Sequence, residues 1–294
     1  MRMMLAAALL VAGLVGCSQA EKTGSSPAQS HLTFMAKDYA GFDRNLYPGD
    51  DALPMLRKRF AFAGYWLNNP PGASVNTWIG KREIMRKAGF GFLVLSNGHI
   101  DDELQAQKKK GVAADALGRK DAADAIAAAK REGFPAGTIL FLDQEEGGRL
   151  LPEAAEYLFA WTETVAHSAY KPGAYVSGVP SDDGDDGKGH KLMITTAQDI
   201  QQQVAKRHLS PIALFVYQDG CPPSNGCTVS PPKLNGSGTP GAVAWQYAQS
   251  PRRPDATKAC VKTYAPDGMC YAAPESKIFV DLNVAGSADP SRGR

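Results

Sequence analysis

The sequence predicts an α/β fold, a modified TIM-type barrel of five β/α units followed by three strands. Three features indicate it: eight apolar runs bounded by turn residues, helical patterns after each of the first five, and long cysteine-containing connections between the last three. Regular alternation of strand and helix is typical of parallel strands joined by right-handed crossovers. Eight strands favour a closed barrel over the alternative, an open doubly wound sheet.

The strand candidates are short runs rich in apolar residues. The first five are 40–43, 61–66, 90–95, 138–142 and 173–176. The helices predicted after them are 50–59, 76–88, 120–132, 152–170 and 196–208. The last three strands are 211–217, 242–247 and 277–282. The barrel domain is therefore predicted over residues 37–288, with 289–294 as a C-terminal tail.

The N-terminus has the organisation of an export signal. Arg2 precedes an apolar run that is too short to span a bilayer and that ends in Leu-Val-Gly before Cys17. This ending resembles a bacterial lipobox, which implies cleavage before Cys17 and lipidation of its thiol. The alternative is an ordinary signal peptide cut elsewhere. We expect a signal peptide over 1–16, a flexible tether over 17–36, and a lipid-anchored envelope protein, at the outer membrane if the cell has two membranes.

Four further cysteines lie in two close pairs, Cys221 with Cys227 and Cys260 with Cys270. An even number in an exported chain predicts disulfides, because the compartment is oxidising. The short spacing within each pair favours local bonds, which would pin the two long connections. A zinc site is the weaker alternative, since the spacings are not those of Cys-x-x-Cys ligand pairs.

Composition excludes several classes of function. The net charge of +2 and the lack of a long basic block argue against a nucleic-acid partner. The five histidines show no ligand spacing, so we expect no metal and no cofactor. The acidic run over 182–186 does not match a calcium loop and is interpreted as a solvated loop.

Polar and aromatic residues follow the predicted strands, where the active sites of parallel barrels lie. The carboxylates among them, our candidate catalytic residues, are Asp43, Asp143, Glu145 and Asp281. The candidate substrate-binding residues are Tyr65, Trp66, Asn97, Tyr175, Tyr217, Gln218, Trp245, Gln246 and Asn283. Tyr175 and Trp245 have core positions as their alternative.

Paired carboxylates suit glycoside hydrolysis, which needs one acid to protonate the leaving oxygen and a second group to stabilise the anomeric centre. Asp143 and Glu145 are two apart on one predicted strand, so we expect both side chains to point to the same face, about 6.6 Å apart along the chain. Clustered negative charge raises the pKa of at least one carboxyl, which favours Glu145 as general acid. A register shift by one residue would put Glu146 there instead.

Five short motifs in order resemble glycoside hydrolase family 25, the muramidase-type lysozymes. They are Gly41-Phe42-Asp43, Asp143-Gln144-Glu145, Ala174-Tyr175, Trp245-Gln246-Tyr247 and Val280-Asp281-Leu282-Asn283. The run from Gly41 to Asn283 more closely resembles a glycoside-hydrolase-like domain group, number 1906 among the domains of unknown function.

The resemblance implies that Glu145 is the general acid, that Asp143 orients substrate or stabilises the intermediate, and that Asp43 and Asp281 complete the acidic cluster. It also implies β-1,4-linked amino sugars of peptidoglycan as substrate. We therefore expect a lipid-anchored protein that cleaves cell-wall glycan. The alternatives are a glycan-binding module that keeps the cleft without turnover, and a structural lipoprotein with no glycan role.

Overall fold

Eight strands close into a barrel in the computed structural model, which describes residues 38–294. The barrel strands are β1 (Tyr39–Asp43), β2 (Phe62–Trp66), β3 (Gly91–Asn97), β4 (Ile139–Asp143), β5 (Lys171–Ser177), β8 (Ala213–Tyr217), β9 (Ala244–Ala248) and β10 (Asp281–Ala285). Their order around the barrel is β1, β10, β9, β8, β5, β4, β3, β2. The predicted closed barrel is confirmed.

The helices lie between the strands. They are α1 (Leu53–Arg57), α2 (Arg82–Lys87), α3 (Asp101–Lys109), α4 (Ala114–Arg131), α5 (Pro152–Ala166) and α6 (Thr196–Arg207). The prediction missed α3 because only one of its side chains, Leu104, is buried, which leaves no apolar stripe to recognise. Its acidic first turn and basic last turn suit the helix dipole.

The acidic run after β5 forms a hairpin rather than the predicted solvated loop. Its strands are β6 (Ser181–Asp185) and β7 (Lys191–Ile194), which pair antiparallel. Asp182 and Lys191 form an ion pair across the hairpin at 2.8 Å. Acidic residues are uncommon in strands, so the sequence resembles a loop even where it pairs.

The last strand runs opposite to the prediction. β10 is antiparallel to both β1 and β9, whereas the other barrel pairs are parallel. The described chain has no α-helix between β9 and β10 to carry it back across the barrel, so β10 starts at the rim where β9 ends. It also begins at Asp281 rather than at residue 277. Asp281 therefore lies at the same rim as Asp43, its register partner.

Strands β2 and β4 are buried along their whole length. This is typical of parallel strands that face a packed interior on one side and helices on the other. Outside the barrel, α4 and α5 pack closely: a Cβ on Gly118 of α4 would lie 2.4 Å from the carbonyl oxygen of Tyr157. The barrel and the helices around it are thus closely packed.

The four cysteines form two disulfides, as predicted, but the predicted pairing is wrong. Cys221 bonds to Cys260, and Cys227 bonds to Cys270. The bonds join the β8–β9 connection to the β9–β10 connection, with Cα–Cα distances of 5.9 and 5.3 Å. Spacing along the chain misled the prediction because folding brings the two connections side by side.

The C-terminal segment, predicted as a tail, is part of the barrel base. It hydrogen-bonds to both β3 and β4 on the N-terminal side of the Val94–Leu140 pair, where these two strands do not pair with each other. The Ser291 hydroxyl accepts a hydrogen bond from the Val94 amide, and the Ser291 carbonyl accepts one from the amide of Ile139. Ser291 is fully buried, so the chain end is anchored.

The predicted signal peptide, Cys17 and the tether lie outside the described residues, and their assignments remain predictions. Between residues 38 and 294, none of the helices has the length and apolar character needed to cross a membrane.

Candidate active site

A cavity of about 200 Å³ lies at the rim where the parallel strands end, and we call it the acidic cavity. Its lining residues are Asp43, Asn45, Trp66, Pro71, Leu95, Asp143, Glu145, Tyr175, Phe215, Gln246 and Asp281. All four carboxylates that the sequence suggested as catalytic are among them. Separate strand ends thus bring four acidic side chains to one site.

Three of the carboxylates are placed directly by strands. Asp43 is the last residue of β1, Asp143 is the last of β4, and Asp281 is the first of β10. Gly64 of β2 leaves room for Asp43, because a Cβ at this glycine would lie 2.4 Å from the Asp43 Cβ. Glu145 lies beyond the end of β4, so the predicted same-strand pair with Asp143 is wrong, although both residues line the cavity.

Asp43 is held by a chain of hydrogen bonds. Gln246 Nε2 and Asn283 Nδ2 both donate to Asp43 Oδ2, at 3.0 and 2.7 Å. The Tyr175 hydroxyl in turn donates to Gln246 Oε1 at 2.7 Å. Burial raises the pKa of Asp43 to about 6, against the two hydrogen bonds, which lower it. Near neutral pH this carboxyl can therefore gain or lose a proton.

Asp143 is only 5% exposed, and its Oδ1 has no hydrogen-bond partner among residues 38–294. Burial, and then the charges of Glu145 and Asp43, raise its pKa well above the usual value. Buried polar atoms are normally hydrogen-bonded. An unpaired buried oxygen in the wall of a cavity is therefore suited to contact a ligand hydroxyl or amide.

Glu145 is exposed at the rim of the acidic cavity, where neighbouring atoms displace part of its hydration. This desolvation raises its pKa, the negative charge of Asp43 raises it further, and Arg253 opposes both. A carboxyl with a raised pKa and access to a ligand is suited to donate a proton.

The loop that carries Glu145 is braced from several sides. The Tyr217 hydroxyl donates to the Glu145 carbonyl at 2.8 Å. The Thr196 hydroxyl is placed to donate to the carbonyls of Glu146 and Gly148, at 2.9 and 2.8 Å. The Glu146 carboxylate accepts the backbone amide of Asp101 at 2.5 Å, at the start of α3. Glu146 thus caps a helix, and the alternative that it replaces Glu145 in the site is wrong.

Asp281 accepts a hydrogen bond from the backbone amide of Ser250 at 2.5 Å. Burial, and then the charge of Asp43, raise its pKa well above the usual value. Ionising all four carboxyls together is unfavourable because each charge opposes the next. Protonation of one carboxyl therefore favours ionisation of its neighbours.

Five of the predicted substrate-binding residues belong to this region. Trp66, Tyr175 and Gln246 line the acidic cavity. Asn283 is buried and binds Asp43, while Tyr217 contacts the backbone of Glu145 instead of lining the cavity.

The other four predicted residues do not line the cavity. Tyr65 is fully buried and donates to the Glu132 carboxylate beyond the end of α4, while the Trp245 indole donates to the Gln218 carbonyl at 2.9 Å. Each precedes a cavity residue, Trp66 or Gln246, and successive side chains on a strand point to opposite faces.

Gln218 and Asn97 have backbone partners rather than a place in the cavity. The Gln218 side chain binds the backbone of Gly178 and Gly220, at 3.4 and 3.0 Å. Asn97 contacts the Asn68 side chain through its own backbone, at 2.9 and 2.7 Å. Both therefore shape loops at the strand ends.

Sequence reasoning missed four cavity residues: Asn45, Pro71, Leu95 and Phe215. Phe215 lies two residues before the end of β8, on the face shared with Tyr217, and its ring centroid is 4.4 Å from that of Tyr175. Extending the strand-end pattern inward by two residues would have found it. Asn45 and Pro71 lie in loops after β1 and β2, where periodicity carries no signal.

Among the described residues, no group of three or more His, Cys, Asp or Glu side chains has an arrangement that could hold a metal ion.

Residues 83–212 match the family model described as "Rv2525c-like, glycoside hydrolase-like domain". The expected resemblance to a glycoside-hydrolase-like domain is therefore confirmed over this segment. No curated protein matches the chain.

Among solved structures, the chain is similar to an uncharacterized B. stearothermophilus protein, at 20% identity and a TM-score of 0.53, over 84% of this chain and 95% of that one. That structure shares the fold. The chain is also similar to the Mycobacterium tuberculosis Tat-secreted protein Rv2525c in complex with HEPES, at 11% identity, a TM-score of 0.46, and coverage of 87% and 97%. Another similar structure is the catalytic domain of endolysin ply40 from bacteriophage P40 of Listeria monocytogenes, at 13% identity, a TM-score of 0.47, and coverage of 88% and 98%.

Proposed function

We propose, on the premise that residues 83–212 carry an Rv2525c-like, glycoside hydrolase-like domain, that this protein cleaves glycosidic bonds of a cell-wall glycan. The substrate class we infer is β-1,4-linked amino-sugar polymer, as in peptidoglycan. One observation carries the proposal: Asp43, Asp143, Glu145 and Asp281 meet in one cavity at the end of the barrel where such sites form.

Glu145 is the proposed general acid. Glycosidic cleavage needs a proton donor that is still protonated near the working pH, and desolvation raises the pKa of Glu145 in that direction. Its place at the rim gives a glycosidic oxygen access to the carboxyl. The bonds from Tyr217 and Thr196 hold the loop backbone, so the side chain starts from a defined position.

Asp143 is proposed to bind the sugar whose glycosidic bond is cleaved. Its unpaired Oδ1 is available to an acetamido or hydroxyl group of the substrate. A substrate acetamido group that Asp143 orients can attack the anomeric carbon itself, so no second protein nucleophile is required. Asp43 and Asp281 supply further negative charge near the anomeric carbon, where positive charge develops. The rings of Trp66 and Tyr175 provide apolar surface for a sugar face.

We also propose that the protein is exported and anchored by a lipid on Cys17. The two disulfides support export, because such bonds persist in oxidising compartments. A labelled fatty acid supplied to growing cells should appear on the wild-type protein. The Cys17→Ser variant should carry no label and leave the membrane fraction. Label on that variant would contradict the anchor.

The catalytic proposal is tested by measuring new reducing ends released from purified peptidoglycan and from simpler polysaccharides. Glu145→Gln should lose about 10²-fold or more of the rate. Glu83→Gln is the matched control, since it makes the same chemical change on the exposed surface of α2. Full activity in Glu145→Gln would contradict the assignment. Saturable glycan binding with no release by the native protein would select a binding module instead.

A further inference from the structure

A second cavity of about 200 Å³ adjoins the acidic cavity, and we call it the side groove. Its lining residues are Arg44, Asn45, Leu46, Ser250, Phe279, Val280 and Asp281. Asn45 and Asp281 also line the acidic cavity, so the two spaces are neighbours. A polymer bound across the acidic cavity can therefore place an adjacent unit in the side groove.

Arg44 is the one basic residue among the lining residues of the side groove. Its Nε is buried without a hydrogen-bond partner, and within residues 38–294 its guanidinium has no carboxylate within 4.0 Å. Asp281 acts on it only from a longer distance, and the Phe279 ring centroid lies 5.3 Å from its Cζ. By contrast, Arg253 binds the Asp219 carboxylate through two nitrogens, Nε and Nη2.

The buried Nε–H of this half-buried guanidinium is unfavourable as it stands, because it has lost water without gaining an acceptor. Arg44 is nevertheless well placed, since its carbonyl accepts the Trp66 indole N–H at 3.2 Å. This bond ties the Arg44 backbone to Trp66, which lines the acidic cavity. A ligand that brings two coplanar oxygen acceptors would match the fork of the guanidinium.

We propose that the side groove binds a carboxylate carried by the glycan, on the sugar next to the one that Asp143 contacts, with Arg44 as its partner. The inference rests on the proposed function for the identity of the polymer. A single negative charge suits the site better than a dianionic phosphate, because the groove has one cation and one opposing carboxylate, Asp281. The exposed faces of Leu46 and Phe279 supply apolar contact for the sugar ring.

Two sources share this chemistry. A uronic acid carries the carboxylate on its ring, and an acidic side chain on an amino sugar carries it on a substituent. The apolar walls and the single guanidinium are compatible with both, so an experiment has to distinguish them.

Dissociation constants measured by calorimetry test the proposal. The ligands are a neutral amino-sugar oligosaccharide, an oligouronate and a peptidoglycan fragment with free side-chain carboxyls, and each acidic ligand is paired with its amidated form. All proteins are full-length and carry Glu145→Gln, so that cleavage does not interfere. The variants are Arg44→Gln, Arg44→Lys and the control Arg119→Gln, which removes the same charge from an exposed ion pair on α4.

We expect the parent and the Arg119 variant to prefer an acidic ligand over its amidated form by about tenfold or more. Arg44→Gln should abolish the preference, and Arg44→Lys, which keeps the charge but not the fork, should retain part of it. Preference for the oligouronate alone assigns a ring carboxylate, and preference for the peptidoglycan fragment alone assigns a substituent. Equal affinity for acidic and amidated forms in the parent, or unchanged preference in both Arg44 variants, overturns the proposal.

Release of reducing ends by the unmodified enzyme is measured in parallel. Acid-selective binding without release leaves the carboxylate site standing and rejects the hydrolase. Release without acid-selective binding rejects the carboxylate site and leaves the hydrolase standing.

Discussion

Replacing Asp43 with asparagine should make the protein more stable, and the gain should be larger at neutral pH than in acid. Burial holds the pKa of Asp43 at about 6, above its usual value of 3.8. Folding therefore favours the protonated form. As the pH rises from about 4 to 6, Asp43 ionises in the unfolded state before it ionises in the native state, so the free energy of unfolding falls. The amide of the Asp43→Asn variant does not ionise, while its carbonyl can still accept from Gln246 and Asn283.

The size of the effect follows from the two pKa values. At about 1.36 kcal/mol for each pKa unit, the ionised carboxyl costs the folded state about 3 kcal/mol at pH ~7.5. At pH ~4.5 most of the native protein is protonated at Asp43, and the same linkage leaves a cost of about 1 kcal/mol. The Asp43→Asn variant should exceed the wild type by these amounts.

Urea denaturation at the two pH values measures the difference, provided that the slope with denaturant is unchanged. Asp115→Asn serves as control, because Asp115 is an exposed carboxylate whose pKa its partner Arg119 lowers, and its loss should bring no gain. The reasoning is refuted if Asp43→Asn does not raise the free energy of unfolding at the higher pH, or raises it equally at both pH values. Burial of the Asp43 carboxylate would then not destabilise the native state by the amount calculated. A gain in stability with a loss of glycan cleavage would be typical of a functional carboxyl.

Three further predictions concern the neighbourhood of the site. Tyr217→Phe should lower kcat on peptidoglycan about fivefold with KM unchanged, since it removes one hydrogen bond, worth about 1 kcal/mol, from the Glu145 backbone; a change in KM alone would contradict a positioning role. Replacing Cys221 and Cys260 together by Ser should lower the free energy of unfolding by about 3 kcal/mol, because the Cys227–Cys270 bond shortens the closed loop to about 18 residues, and the difference should vanish under full reduction. Tyr65→Phe should cost about 1–2 kcal/mol of stability by breaking a part-buried hydrogen bond, yet leave the dissociation constant for glycan unchanged; weaker binding would place Tyr65 in the site after all.

The acidic residues could be predicted from sequence because they stand where strands end. Asp43 and Asp143 close β1 and β4, so an error of a residue or two in a strand boundary leaves them at the rim. Asp281 reached the rim for another reason, since it begins an antiparallel strand. Its predicted place was correct because two errors cancelled: the strand begins at Asp281 instead of ending beside it, and it runs antiparallel instead of parallel.

Which way each aromatic side chain points could not be predicted in the same way. Strands β2 and β9 are buried on both faces, so apolar residues do not alternate with polar ones and the inward face leaves no pattern. Tyr65 and Trp245 were therefore placed in the cavity, although β2 and β9 line it through Trp66 and Gln246 instead. The polar residue of the Trp245-Gln246 pair was the better guide.

Contacts between distant segments were the other limit. Disulfide pairing depends on how the two long connections after β8 and β9 lie against each other, and spacing along the chain does not report that. The side groove beside Arg44 could not be predicted for a similar reason, because Ser250 and Phe279 complete it.

The position of β10 between β1 and β9 also determines when the site can exist. Asp43 is bound by Gln246 and Asn283, which follow it by 203 and 240 residues. These contacts form only once nearly the whole chain has been made, and pairings so far apart in sequence are slow to form. Because β10 supplies Asp281, the four carboxyls come together only when this strand has joined the barrel. The full electrostatic cost of assembling them therefore arises together with the burial of β10.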